Sequence, residues 1–150
     1  MSKVNWKNLK EGLDKYQVIM NQYKKSHEIS SSYDFQKSYR NFYGMYRAGM
    51  SSACDKTYFS LLNKAANSEE IDFKYVLQRL YAESGKKHFS FTTKLLATAN
   101  PNLPVWDKKV RKYLNFRFNM NFKDKGPNDL ENIIFKLQKQ IKQLKKKLKK

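Results

Sequence analysis

From Trp6 to Leu114 the apolar residues of this chain recur at spacings of three and four, and that period constrains the fold more than any other feature. Trp6, Leu9, Leu13, Tyr16, Met20 and Tyr23 mark one face of a helix over 5–25. Ser30, Ser31 and Ser32 interrupt the pattern and offer N-cap oxygens to the next helix. Phe35, Tyr39, Phe42 and Tyr46 then form the stripe of a second helix over 33–47, closed by Ala48 and Gly49. A third helix is expected over 51–66, with Tyr58, Leu61, Leu62 and Ala65 inward. Asn67-Ser68-Glu69-Glu70 reads as a capping box, with Asn67 as cap and Glu70 three residues on. It predicts a fourth helix running to about Glu83, burying Phe73, Val76, Leu77 and Leu80 and stopped by Ser84-Gly85. Fifth and sixth helices follow at Phe89–Ala99 and roughly Val105–Leu114.

The period changes beyond Leu114. Phe116, Phe118, Met120 and Phe122 alternate with Asn115, Arg117, Asn119 and Asn121, which predicts an extended segment with one apolar face. Residues 124–128 read as a linker, and Leu130, Ile134, Leu137, Ile141, Leu144 and Leu148 form a heptad seam. With only five Gly and three Pro in 150 residues, helices are favoured over a turn-rich β fold. At 40% hydrophobic and 15% aromatic, the chain carries too much apolar mass for disorder. The expected fold is all-α. It has a single helical domain over 1–123 with a helix-hairpin-helix-like element, a linker over 124–128, and a basic coiled-coil-like helix over 129–150.

Net charge is +18, which draws such a chain to polyanions. The tail holds eight lysines against Asp129 and Glu131, so basicity is shared between the tail and the rest of the chain. A homodimer along the seam would set Lys145 and Lys147 against their copies, so the tail is expected either to dimerise or to dock an acidic partner. A membrane partner is not expected, because the tail lacks a Trp- or Phe-rich face. One cysteine, Cys54, excludes an internal disulfide and a cysteine-based zinc site. His27 and His88 stand far apart with no carboxylate pattern around them, so no metal is expected, and no glycine loop suggests a cofactor. The N-terminal residues have no apolar core of the signal-peptide type, which predicts a cytoplasmic protein, nucleoid-associated if bacterial.

Chemistry concentrates in His88–Leu114. Lys86 and Lys87 join two helices, where backbone N–H groups and lysines together suit a phosphate. The plainer account is an ordinary solvated connection. Asp107 falls in the first turn of the sixth helix, where the dipole alone favours a carboxylate. Beside a DNA-facing hairpin it could instead stabilise a cation or activate water. Trp106 is placed to stack on a flipped base. The aromatic stripe of the second helix is core by its spacing, which leaves Tyr43 and Arg47 as surface candidates.

Phe89-Ser90-Phe91-Thr92-Thr93-Lys94-Leu95-Leu96, followed by Asn100-Pro101-Asn102-Leu103-Pro104-Val105-Trp106-Asp107, resembles the end of the helix-hairpin-helix DNA glycosylase fold. It is most similar to small bacterial 8-oxoguanine glycosylase-like proteins. The hairpin keeps one glycine, Gly85, and the family's Pro-Val-Asp appears as Pro-Val-Trp-Asp. The resemblance implies DNA binding with base excision, that is, N-glycosylase/lyase activity on duplex DNA. It implies Asp107 as the catalytic carboxylate and Lys87, or Lys86, as the amine nucleophile. Lys86, Lys87, Lys94, Lys108, Lys109, Arg111 and Arg47, with Trp106, would hold the DNA. The alternative is a non-catalytic nucleic-acid-binding or structural adaptor on the same scaffold.

Overall fold

The structure is a computed structural model that describes residues 5–118. Among these residues it is all-helical: α1 (Trp6–Lys25), α2 (Tyr33–Tyr43), a 3-10 turn (Met45–Ala48), α3 (Ser52–Ala66), α4 (Phe73–Ser84), α5 (Phe89–Ala99) and α6 (Lys108–Phe118). No described helix is long and apolar enough to cross a membrane. The chain divides into two compact units, Met1–His88 and Phe89–Lys150.

Within the first unit, α1 packs on α2 and α3 on α4. Its core is aromatic because α2 and α3 each turn two rings inward. Phe35 and Tyr39 of α2 meet Tyr58 and Phe59 of α3, with Phe35 edge-on to Phe59 at 6.4 Å. The two buried hydroxyls satisfy each other, Tyr39 Oη to Tyr58 Oη at 2.9 Å, so neither is left without a partner. Arg40 lies over the Phe59 ring at 4.6 Å and grips Asp55 with two nitrogens, at 2.6 and 3.1 Å. The connection from α1 to α2 is held by side-chain amides. Asn63 Oδ1 accepts the Ile29 N–H at 2.7 Å, and Gln36 Nε2 donates to the Ile29 and Ser30 carbonyls at 3.0 and 2.8 Å.

Caps explain most boundaries. Asn5 accepts from the Asn8 N–H at the start of α1, and Ser51 from the Cys54 N–H at the start of α3. Gly44 ends α2 at φ +67°, a left-handed conformation that glycine adopts without strain, so the second helix stops short of Arg47. The break rotates Tyr46 out of the stripe and leaves it exposed, although its spacing placed it with Phe35 and Tyr39.

Three further expectations are corrected. Asn67 closes α3 instead of opening α4: its backbone N–H returns to the Asn63 carbonyl at 3.1 Å, and Ser68 is left-handed at φ +64°. The cap of α4 is Asp72, whose carboxylate accepts the Tyr75 N–H at 2.7 Å. Asn115 to Phe118 are helical, not extended, because α6 runs through them. A lone strand leaves its backbone groups unpaired, whereas a helix satisfies its own. Finally, the stripe of α1 is buried only at its C-terminal end, by Met20 and Tyr23; Trp6 is 73% exposed, and Leu9 and Leu13 are exposed with it. The remainder of the alternating segment, 119–122, the 124–128 linker and the 129–150 heptad tail lie outside the described residues.

The Asp72 cap yields a measurable contrast. Asp72→Ala should cost about 1 kcal/mol of stability. Glu70→Ala, at the exposed position favoured by the sequence pattern, should stay within about 0.5 kcal/mol of the parent. Thermal melts of the two variants check this.

Candidate functional site

The second unit begins with α5, the most apolar stretch of the chain, in which Lys94 is the only charged residue. Every residue from Phe91 to Thr98 is buried. Such a helix has almost no solvent face, so its polar groups depend on partners within the protein, and Thr92 Oγ1 is buried with no hydrogen-bond partner. Thr98 finds its partner locally, its hydroxyl donating to the Lys94 carbonyl at 2.8 Å. Thr93 does so across the unit. Its Oγ1 accepts the Trp106 backbone N–H at 2.9 Å and stands 3.0 Å from the Ser90 carbonyl. That bond pins the 100–107 loop to α5.

The pinned loop delivers Asp107 to the start of α6. Asp107 stands one residue before the helix, where it acts as the cap and not as a first-turn charge. Its Oδ1 accepts the N–H groups of Lys109 and Val110, both at 2.9 Å. Its backbone carbonyl accepts the Arg111 N–H at 2.9 Å. The second carboxylate oxygen takes no part in these bonds.

Lys94 is the most unusual group in this unit. It is 8% exposed, and its Nζ lies 5.0 Å from the centre of the Phe91 ring. Burial pushes its ammonium below the usual lysine range. The Asp107 charge opposes that shift, and Lys109 adds to it. A buried amine with depressed basicity is a feature that nucleophilic amine chemistry uses.

The other expected residues fall as follows. Trp106 is buried, 7% exposed, so its ring belongs to the core of the unit and is not an open stacking platform. Lys108 and Lys109 are exposed at the head of α6, and Arg111 is half-buried. Lys86 and Lys87 are exposed in the connection that closes the first unit, and Arg47 is exposed in the 3-10 turn of that unit. In that connection Ser84 Oγ accepts the Lys86 N–H at 3.2 Å and lies 3.0 Å from His88 Nε2. Burial, then the Lys86 charge, lowers the His88 pKa, which favours neutral imidazole there. Lys94 and Asp107 belong to the second unit, and Lys87 to the end of the first. The sequence reading placed Lys94 among the phosphate contacts. The signal for a different role was present, a single lysine inside an apolar helical run. Among the described residues no cluster of three or more His, Cys, Asp or Glu is arranged to hold a metal.

No family model, curated protein or solved structure matches the chain.

The depressed Lys94 pKa has a definite sign in stability. Between the folded-state value and the ordinary 10.5, the unfolded chain holds the proton more firmly. Stability therefore rises with pH across that window, and the penalty is complete below it. Lys94→Met removes the penalty at similar volume. We expect the variant to melt higher than the parent at neutral pH, with the gap narrowing as pH approaches 10.5. Melting curves across that range decide it; a large loss of stability at pH 7 would show that Lys94 is a structural anchor. Thr93→Val, which strands the buried Trp106 N–H, should cost about 1–3 kcal/mol in the same assay.

Proposed function

We propose that the chain binds DNA and excises damaged bases, with Lys94 and Asp107 as the amine and carboxylate of an N-glycosylase/lyase site. The observation that carries this reading is the buried Lys94 amine, whose basicity burial lowers while the Asp107 charge partly restores it. The hairpin resemblance and the +18 charge support it. Lys94 takes the place of Lys87 as the nucleophile in this reading because Lys87 is exposed, whereas the Lys94 amine is buried and burial lowers its basicity.

In the reaction, the Lys94 amine in its deprotonated form attacks C1′ of the damaged nucleoside as the bond from C1′ to the base breaks. The base departs with that bond's electron pair and takes up the proton that the amine gives up. Opening of the sugar ring then leaves an imine between Lys94 and C1′. Asp107 stabilises the positive charge that develops at the sugar and can hold the proton in transit. Lys108, Lys109 and Arg111 at the head of α6, with Lys86 and Lys87, neutralise phosphates. Arg47, exposed in the first unit, extends the same basic surface chemistry.

The second reading is a non-catalytic nucleic-acid-binding adaptor, in which the 129–150 tail dimerises the chain or docks an acidic partner. One observation favours it: the two bonds to Asp107 Oδ1 fully account for that residue as a helix cap.

Borohydride trapping on duplex DNA with an abasic site separates the two readings. Reduction converts the imine to a secondary amine and leaves a stable adduct. The adduct should form with the parent and with Lys87→Ala, and vanish with Lys94→Ala. No adduct from the parent on abasic or lesion-bearing DNA would leave the adaptor reading in place. In both readings binding depends steeply on salt. Each phosphate neutralised contributes about −0.9 to the slope of log K against log salt, so four or five contacts give roughly −3 to −5. A slope near zero would sink DNA binding itself.

A further inference from the structure

Outside the second unit, the least explained surface of the protein is the seam between α1 and α2. Two adjoining depressions share Val18 and run along it, with volumes of about 740 and 510 Å³. On the α1 side, Gly12, Lys15, Val18, Gln22 and Lys25 recur at spacings of three and four, so one helical face lines the whole trough. From Gly12 to Lys25 that face is about 20 Å long at the rise of an α-helix. Gly12 has no side chain, and a Cβ there would meet nothing within 4 Å. Across the seam α2 contributes Ser38, Asn41 and Phe42, while the buried side chains of Ile19 and Phe35 close the floor.

One feature shows that this trough is unfinished. Val18, common to both depressions, is 54% exposed although it sits beside the fully packed Ile19. Charge indicates what kind of partner. Lys15 stands in one depression and Lys25 in the other, about 15 Å apart along α1, and Asp14 is the only acid among the lining residues.

We propose that the α1–α2 trough is a docking groove for an acidic amphipathic helix from a partner protein. Apolar side chains of that helix cover Val18 and fill the space over Gly12. Its carboxylates meet Lys15 and Lys25. A helix laid in a groove between two helices buries its apolar stripe in this way. Single-stranded nucleic acid fits less well. It needs open aromatic faces on which to stack. Phe35 is buried, and Phe42 is engaged by Tyr16 at 6.0 Å and by Tyr43 at 4.9 Å. The Asp14 carboxylate would also oppose a phosphate backbone. A small ligand is less suited, because the trough is long and open instead of enclosed.

The test uses the full chain and three probes. The first is a labelled helical peptide of about 18 residues with leucines at three- and four-residue spacing and glutamates beside them. The second is its twin with lysine in place of glutamate. The third is a thymidine oligonucleotide of about 12 nucleotides. The acidic peptide should bind saturably and shift the amide NMR signals of Gly12, Val18, Gln22, Ser38 and Asn41. Gly12→Trp, which fills the trough, and Val18→Gln, which removes the apolar contact at an exposed position, should each weaken binding about tenfold, as loss of a central anchor does. Lys24→Glu, outside the trough, should change affinity less than about threefold, as expected of a screened peripheral charge. The basic twin should fail to bind. The proposal is overturned if the acidic peptide does not bind, or if it binds with no shift at these residues. It is also overturned if both trough variants bind as the parent does, or if the oligonucleotide and not the peptide moves those signals.

Discussion

The second unit depends on a single hydroxyl. Thr93 Oγ1 accepts the Trp106 N–H from within a helix that has almost no face to water. Without that bond a backbone donor would be stranded in the core, and the 100–107 loop would lose a buried polar tie to α5. The register of the loop sets everything downstream. It places Asp107 one residue ahead of α6, where the carboxylate satisfies two N–H groups that no helical carbonyl can reach. It also sets that carboxylate where its charge acts on Lys94. Cap, loop and amine are consequences of one side chain–backbone contact.

The first unit is built on the opposite economy. Its inward polar groups largely find each other, Tyr39 with Tyr58 and Arg40 with Asp55. The connection between α1 and α2 is clamped by Asn63 and Gln36. Burial of the Tyr58 hydroxyl raises its pKa well above the ordinary value, so the pair stays neutral and works as a hydrogen bond, not as an acid. The exceptions lie on α1, where Gln22 Oε1 and the Tyr23 hydroxyl are buried without partners. Burial pushes the Tyr23 pKa up to about 12, which keeps that hydroxyl neutral. Unmet polar groups and half-exposed apolar ones therefore gather on one helix of an otherwise well-satisfied unit.

Places where local rules break are where function is expected, since proteins tolerate a few such conflicts for use and compensate elsewhere. Lys94 is one: a long basic side chain inside an apolar helix, with its amine over the Phe91 ring. The seam of α1 and α2 is the other. The two differ in kind. One holds a titratable amine whose basicity a carboxylate influences, which suits covalent chemistry; the other displays an exposed valine with a lysine in each adjoining depression, which suits recognition.

The sequence alone determined the helical class, because the three-and-four period of its apolar residues is a property of the chain and survives any packing. It located α1, α3 and α5 to within a residue, and it singled out Asp107, since caps and runs are local chemistry. Tertiary structure decided the rest. The Asn67 signal and the Asp72 signal are both legitimate caps, and only the way α3 closes, through Asn67 and the left-handed Ser68, selected Asp72. Phe116 and Phe118 alternate as a strand would, yet a strand needs a partner for its backbone, and the α6 helix already supplied one. The resemblance in the sequence implies Lys94 only as one of several DNA contacts. Its burial, and with it the depression of its pKa, arises from neighbours that no spacing in the sequence encodes.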